Sequence, residues 1–201
     1  MNRRDESTLI LASQSASRRA MLTAAGVAHR SVPADLDERA LEAGLAGHDP
    51  GQIARALACA KALAVSALHP NALVLGSDSL VEVEGHRFDK RQSREDAARH
   101  MRFFSGKVMR LHSAAALARQ GEAIWQTDVV AQLHVRPLSE DFIESYLGRE
   151  WPEVAGCVGV FRVEAIGVQL FDRIEGDHFT VLGMPLLPVL AALRDQGMLE
   201  R

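Results

Sequence analysis

Short apolar runs alternate along the chain with amphipathic stretches, the pattern of strands alternating with helices. The three apolar residues Leu9-Ile10-Leu11 read as a buried strand. The polar turn Ser13-Gln14-Ser15-Ala16-Ser17 leads from it into a helix opened by Arg18 and Arg19 and continued through Met21 and Leu22. Gly26 ends that helix, His29 to Val32 reads as a short strand, and Pro33 to Glu38 is an acidic turn. Gln52 to Leu68 carries Ala and Leu at helical spacing. Ala72 to Leu75 is a second apolar run that ends in Gly76-Ser77-Asp78-Ser79, after which Leu80 to Val83 reads as strand up to a turn at Glu84-Gly85. Ser93, followed by Glu95 and Asp96, caps a helix running to about Phe104. Lys107 to Leu117 and Ala123 to Val135 are two long strands joined by a hairpin through Arg119-Gln120-Gly121. Ser139 caps a helix through Leu147, Val158 to Val163 and Val168 to Ile174 read as extended, and Pro185 opens a last helix to about Arg194. The hairpin makes the sheet mixed, so the fold class is α/β.

Composition narrows the choice of function. A chain of 201 residues suits one domain or two closely packed lobes, and 47% hydrophobic residues sustain a sizeable core. The net charge of −3 argues against a broad basic surface for duplex nucleic acid, so any anionic ligand must be held by local cations. Cys59 and Cys157 match no metal-ligand spacing and read as thiols, not as a disulfide. The polar stretch Met1 to Ser7 lacks the apolar core of a secretory signal, and residues 1–8 are expected to be a flexible lead-in. No segment reads as a membrane span, since the apolar stretch Leu182 to Leu193 is short and contains prolines. A soluble cytoplasmic protein is expected.

The chemistry starts at the first turn. A turn entering a helix offers unpaired N–H groups and the positive end of the helix dipole, and Ser13 and Arg18 add further donors. This is a candidate phosphate site. Taken alone, the segment equally describes a serine-capped helix with a solvated Arg-Arg face. Asp78, at the end of an apolar strand and framed by small residues, is placed as at the mouth of a cleft, although an aspartate there also serves as a turn cap. Asp35, Asp37 and Glu38 offer oxygen ligands for a divalent cation, or a solvated acidic turn. Lys61 sits in a mostly apolar helix and Lys90 in a polar loop. Together these groups would supply what phosphoanhydride cleavage requires: cations on the phosphates and a carboxylate to position or deprotonate water.

The order Leu-Ile-Leu-Ala-Ser-x-Ser-x-x-Arg-Arg, Asp-x-Asp-Glu, Lys61, Gly76-Ser77-Asp78, Lys90, Ser105-Gly106, Arg173-Ile174-Glu175-Gly176-Asp177 and Leu182-Gly183-Met184-Pro185-Leu186 resembles the Maf family from Leu9 to about Leu199. The resemblance implies a single Maf-like (ITPase-like) domain over residues 1–201, with an elongated mixed sheet flanked by helices and a cleft between two lobes. It implies a nucleoside triphosphate pyrophosphatase that needs a divalent metal cation, Mg²⁺ or Mn²⁺, and a homodimer. By position, Asp78 is similar to the family's catalytic base. Glu38, with Asp78, matches the metal-holding acids. Ser13, Arg18, Lys61 and Lys90 match the triphosphate-contacting residues.

Ser17, Ser79 and Glu164 match the family's specificity positions. Members that prefer dTTP and UTP commonly carry Arg, Thr and Gln there and Gly-Ala-Asp around the base, whereas Gly76-Ser77-Asp78 with Glu164 is similar to the branch acting on 7-methyl-GTP. A glutamate can accept from the guanine N1–H and N2 amino group, and its charge complements the cationic methylated ring. The chain departs from the family pattern with Ala16 and Arg91 for the usual prolines, Ser17 and Ser79 for bulkier residues, Met109 for a histidine, and Cys157 for the lysine of the pyrimidine branch. These departures leave the acid and the main cations in place and bear on base preference. The alternatives are a dTTP/UTP pyrophosphatase of the same family, a non-catalytic nucleotide-binding regulator of septum formation, and a phosphatase releasing single phosphates.

Overall fold

Ten residues of one strand, Val74–Val83 (β3), organise the molecule. A computed structural model describes residues 8–90 and 92–200. The lead-in before Thr8 and the departure at Arg91 therefore lie outside the described residues.

Along one edge β3 pairs throughout with the antiparallel strand Val108–Arg119 (β5), from Val74 opposite Ala118 to Val83 opposite Met109. β5 in turn forms the expected hairpin with Glu122–Val135 (β6). At its tip Gln120 and Gly121 both take positive φ, 55° and 77°, the backbone that lets two twisted strands reverse in a tight turn. The other edge of β3 is covered in two pieces. Strand Leu9–Leu11 (β1) pairs in parallel with Val74 and Leu75 only. Strand His86–Phe88 (β4) pairs antiparallel with Val81 to Val83. Between those pieces, the segment from Gly76 to Leu80 pairs with neither strand. A strand edge left open inside a sheet is where other groups can reach the backbone and its side chains. His29–Ser31 (β2) extends the sheet beyond β1, and Phe171–Glu175 (β7) beyond β6, giving a seven-stranded mixed sheet in the order β2-β1-β3-β5-β6-β7 with β4 beside β3.

Helices cover both faces. Pro50–Leu68 (α3) starts with a capping box between Asp49 and Gln52 and a proline in its first turn. It buries Ile53, Ala54, Leu57, Ala58, Ala62 and Val65 against Ile10, Val74, Leu80, Ala114 and Ala116. The small residues of β5 at this contact let the helix lie close to the sheet. On the opposite face Ala16–Ala24 (α1) and Leu186–Asp195 (α7) pack Met21, Leu22, Val189 and Leu193 on Leu9, Leu11, Leu75 and Leu117. Farther along β3, β5 and β6, a separate cluster joins Val81, Val83, Leu111 and Leu133 to Met101 and Phe104 of Arg94–Phe104 (α4) and Ile143, Tyr146 and Leu147 of Glu140–Glu150 (α5). The open segment of β3 lies between these cores.

Four sequence readings change. Gly76-Ser77-Asp78-Ser79 is mid-strand, because pairing with β5 carries β3 straight through it. Val158 to Val163 is no strand: the chain turns there with Val160 at φ 57°, and a 3-10 turn, Ile166–Leu170, precedes β7. β7 accordingly begins only at Phe171. Finally, α3 is itself long and apolar enough to cross a membrane by length and composition, but half of its apolar window is buried in this fold. Cys59 and Cys157 are free thiols.

Candidate active site

Three elements meet at the open segment of β3. The first is the turn between β1 and α1. Its Ser13 Oγ accepts from Ser15 N at 3.2 Å, and Ser15 caps α1 by accepting from Arg18 N at 3.4 Å. This serine turn fixes the first helical turn and therefore the root of Arg18. The Arg18 guanidinium donates to Ser13 Oγ at 3.3 Å, to Ser79 Oγ at 3.1 Å and, through Nε, to the Gly183 carbonyl at 2.9 Å. Burial lowers its pKa from the ordinary arginine value, while the carboxylates of Asp78 and Glu38 pull the other way. An arginine keeps its charge under such opposing influences.

The second element is β3 with α3 beneath it. Lys61 is buried on the sheet-facing side of α3, and its Nζ lies 2.6 Å from Asp78 Oδ1 and 2.9 Å from Glu38 Oε2. Asp78 is buried as well, whereas Glu38, the first residue of the short helix Glu38–Ala43 (α2), is half open to solvent. Alternation along β3 places Asp78 toward α3 and its neighbours Ser77 and Ser79 toward the Arg18 side.

The third element is the segment after β7. Asp177 caps the short helix His178–Val181 (α6), accepting from Thr180 N at 2.9 Å. At its C-terminal end the carbonyls of Thr180 and Gly183 turn toward the sheet and that of Leu182 toward α1. They accept from Ser113 at 2.8 Å, from Ser17 at 2.6 Å, and from Ser79 at 2.9 Å together with Arg18. Gly183 has φ 99°, a conformation that favours glycine. These carbonyls and the buried Ser113 are functional groups that residue-type reasoning did not single out. The signal was present in the Leu182-Gly183-Met184-Pro185 motif, but a sequence does not show which way a carbonyl points.

The structure thus brings Ser13, Ser17, Arg18 and Ser79 into one network, and Glu38, Lys61 and Asp78 into another close enough to act on Arg18. Lys90 and Glu164 stand elsewhere. Both are exposed and lie within electrostatic reach of Cys157, whose thiol pKa is raised first by burial and then by Glu164, while Arg162 and Lys90 oppose the rise. Arg162 is held by paired bonds to the buried Glu150 at 2.9 and 3.0 Å.

Asp78 and Glu38 converge on a single cationic position, which Lys61 fills. Among the described residues no group of three or more His, Cys, Asp or Glu side chains could enclose a metal. Two carboxylates fit a cation such as Mg²⁺, which binds through one or two carboxylates and completes its shell with water and substrate phosphates. They do not form a closed protein cage.

The family model for Maf-like proteins matches residues 8–196. The chain belongs to the Maf family. It is 45% identical to a nucleoside triphosphate pyrophosphatase of Nitrobacter hamburgensis, with 98% of each chain covered. It is 46% identical to another protein of that name from Sphingopyxis alaskensis, over 95% of this chain and 98% of the relative. A 7-methyl-GTP pyrophosphatase of Rhizobium etli is 45% identical over 96% of this chain and 98% of the relative. The seven-stranded mixed sheet flanked by helices agrees with the Maf-like α/β fold expected from the motifs.

Lys61 also carries a stability prediction. Removing it leaves Asp78 and Glu38 facing each other without their shared ammonium, and among the described residues only Arg18, which bonds to neither of them, remains as a nearby positive charge. Lys61→Met should cost about 3 kcal/mol, at the low end for a broken buried pair because Glu38 is half exposed. Urea denaturation reads this directly, and a midpoint equal to wild type would mean the ion cluster contributes nothing to folding.

Proposed function

We propose that the protein is a nucleoside triphosphate pyrophosphatase that cleaves the α–β phosphoanhydride bond, with 7-methyl-GTP as its preferred substrate class. The observation carrying this reading is the pairing of a fixed arginine with the buried Lys61–Asp78 pair, flanked by the half-exposed Glu38, on the open segment of β3. Arg18 and Ser13 would take the phosphate chain, and Lys61 would supply a compact charge beside it. Lys90 would approach from the β4 side. Asp78 Oδ1 is held by Lys61 at 2.6 Å, so Asp78 becomes a proton acceptor once the phosphates draw the ammonium away. A water then attacks the α-phosphorus and gives its proton to Asp78. The α-phosphorus–oxygen bond to the β-phosphate breaks, and pyrophosphate leaves with nucleoside monophosphate remaining. Asp78 and Glu38 would hold a divalent cation bound with the nucleotide, and such a cation neutralises charge on the departing pyrophosphate.

The test is product identification with Mg²⁺ or Mn²⁺ and a panel of canonical and 7-methylated triphosphates. Pyrophosphate with monophosphate is the expected result. Release of single phosphates would overturn the choice of bond, and tight binding without turnover would favour a regulatory nucleotide-binding protein. Faster turnover of dTTP and UTP than of 7-methyl-GTP would move the substrate to the pyrimidine class.

Glu164 is proposed to face the methylated base, as an anion that accepts from the guanine edge. Glu164→Gln should reduce the preference for 7-methyl-GTP over dTTP about tenfold, or ~1.4 kcal/mol. The ratio of kcat/KM values checks this, and an unchanged ratio removes Glu164 from base selection.

A further inference from the structure

We propose that Glu42 and Arg87 are positioning residues: their ion pair latches α2 to β4 and so keeps Glu38 beside Asp78 when Lys61 turns to phosphate. The inference rests on the pyrophosphatase reading and adds to it the means by which an exposed helix holds its acid in place.

α2 has no buried residue, and its Leu41 is 39% exposed. Apolar packing on the α3 side resumes only outside the helix, at Val32, Ala34 and Leu45. Glu42 is the one residue of α2 that is not exposed. Its carboxylate meets the Arg87 guanidinium, and the two side chains are 22% and 27% exposed. Glu38 and Glu42 stand one turn apart on one face of the helix. Each reaches a cation, Lys61 at 2.9 Å for Glu38 and Arg87 for Glu42. Charge, not apolar contact, fastens this helix to the body.

Arg87 is a fixed point for such a latch. It lies opposite Glu82 in the β3–β4 pairing, and Glu82 shares a face of β3 with Asp78. Glu82 is itself engaged by Gly85 N at 2.9 Å and by Arg110 at 3.4 Å. That leaves Arg87 to Glu42 and, at 3.6 Å, to Asp89, the residue before Lys90. α2 therefore runs beside the open segment of β3, from the Lys61–Asp78 pair to β4. One guanidinium joins the arm carrying Glu38 to the loop carrying Lys90. The latch matters most with substrate bound. Phosphates that draw the Lys61 ammonium from Asp78 draw it from Glu38 as well, and α2 loses that fastening. The Glu42–Arg87 pair then keeps Glu38 where the two carboxylates would share a cation. Losing a partner that orients a metal-holding side chain weakens metal binding about tenfold or more.

Limited trypsin digestion reads the latch without turnover, because Arg39 lies within α2 and cleavage there requires the helix to open. Glu42→Gln and Arg87→Gln should each speed cleavage after Arg39 about fivefold, and the double variant should go no further than either. Arg87→Lys, which keeps the charge, should stay near wild type. Calorimetry with Mn²⁺–pyrophosphate should give a dissociation constant about tenfold weaker in both single variants. In a Glu38→Gln background the same substitutions should add nothing to that loss, because the latch acts through Glu38. With nucleotide, the Mn²⁺ concentration for half-maximal rate should rise in parallel, and the rate should recover at saturating Mn²⁺. Cleavage or Mn²⁺–pyrophosphate affinity equal to wild type in both single variants overturns the proposal, as does a further loss of affinity in the Glu38→Gln background. If wild type yields no pyrophosphate from any nucleotide, the enzymatic reading fails separately, and digestion still decides whether Glu42 and Arg87 hold α2.

Discussion

Asp78→Asn is expected to lower kcat for pyrophosphate release by about 10³-fold, the scale of a lost general base, with nucleotide affinity largely kept. The substitution is nearly isosteric. The asparagine carbonyl can still accept from Lys61 Nζ, and Glu38 at 2.9 Å keeps an anion on that ammonium. What is lost is a basic oxygen able to take the proton of the attacking water, together with one of the two carboxylates that would hold the cation. The thermal midpoint should therefore stay close to wild type, which separates lost chemistry from lost folding. Steady-state rates with calorimetric affinities measure the two sides. A variant that retains most of its rate removes Asp78 from proton transfer and moves attention to Glu38, the other carboxylate on Lys61.

The alternation of apolar runs and caps made most elements legible before any coordinates. Ser93 and Ser139 cap their helices through side-chain oxygens as read, whereas α3 starts at Pro50 under an Asp49 cap, ahead of the Gln52 where periodicity placed it. The Gln120-Gly121 hairpin also forms where turn chemistry places it. What stayed hidden was decided by pairing. Gly76 to Ser79 has the composition of a loop, yet β5 pairs with it residue for residue and holds it extended. Val158 to Val163 has the composition of a strand but lacks a partner, and it folds into turns against the α4–α5 core. The same limit applies to the site. The side chains of Ser13, Arg18, Lys61 and Asp78 could be named from residue type and order, while the carbonyls that orient them had to be seen. The open edge of β3 is also a property of register: β1 stops at Leu75 and β4 begins at Val81.

Gly76→Ala should abolish activity by unseating α3. A Cβ at Gly76 would lie 2.0 Å from the Ala58 carbonyl oxygen and 2.7 Å from Ala62 N, both of them helix backbone. No rotamer change relieves such a clash, so α3 has to lift from β3. Overpacking of this kind costs about 3 kcal/mol or more, since the neighbours are main-chain atoms and cannot yield. Lys61 lies between Ala58 and Ala62 on the next turn, so its 2.6 Å contact with Asp78 depends on the same close approach. Stability and the ion cluster should therefore fail together, visible as a large fall in thermal midpoint and loss of pyrophosphate release. Gly148, in α5 with nothing within 4 Å of its added Cβ, is the matched control. There an alanine should stabilise by about 0.5–1 kcal/mol through helix propensity alone. A Gly76→Ala protein with wild-type stability and rate would mean that the missing side chain does not set how closely α3 approaches β3. The short contact between Lys61 and Asp78 would then need another cause, one in which Glu38 and α2 hold Lys61 from the solvent side.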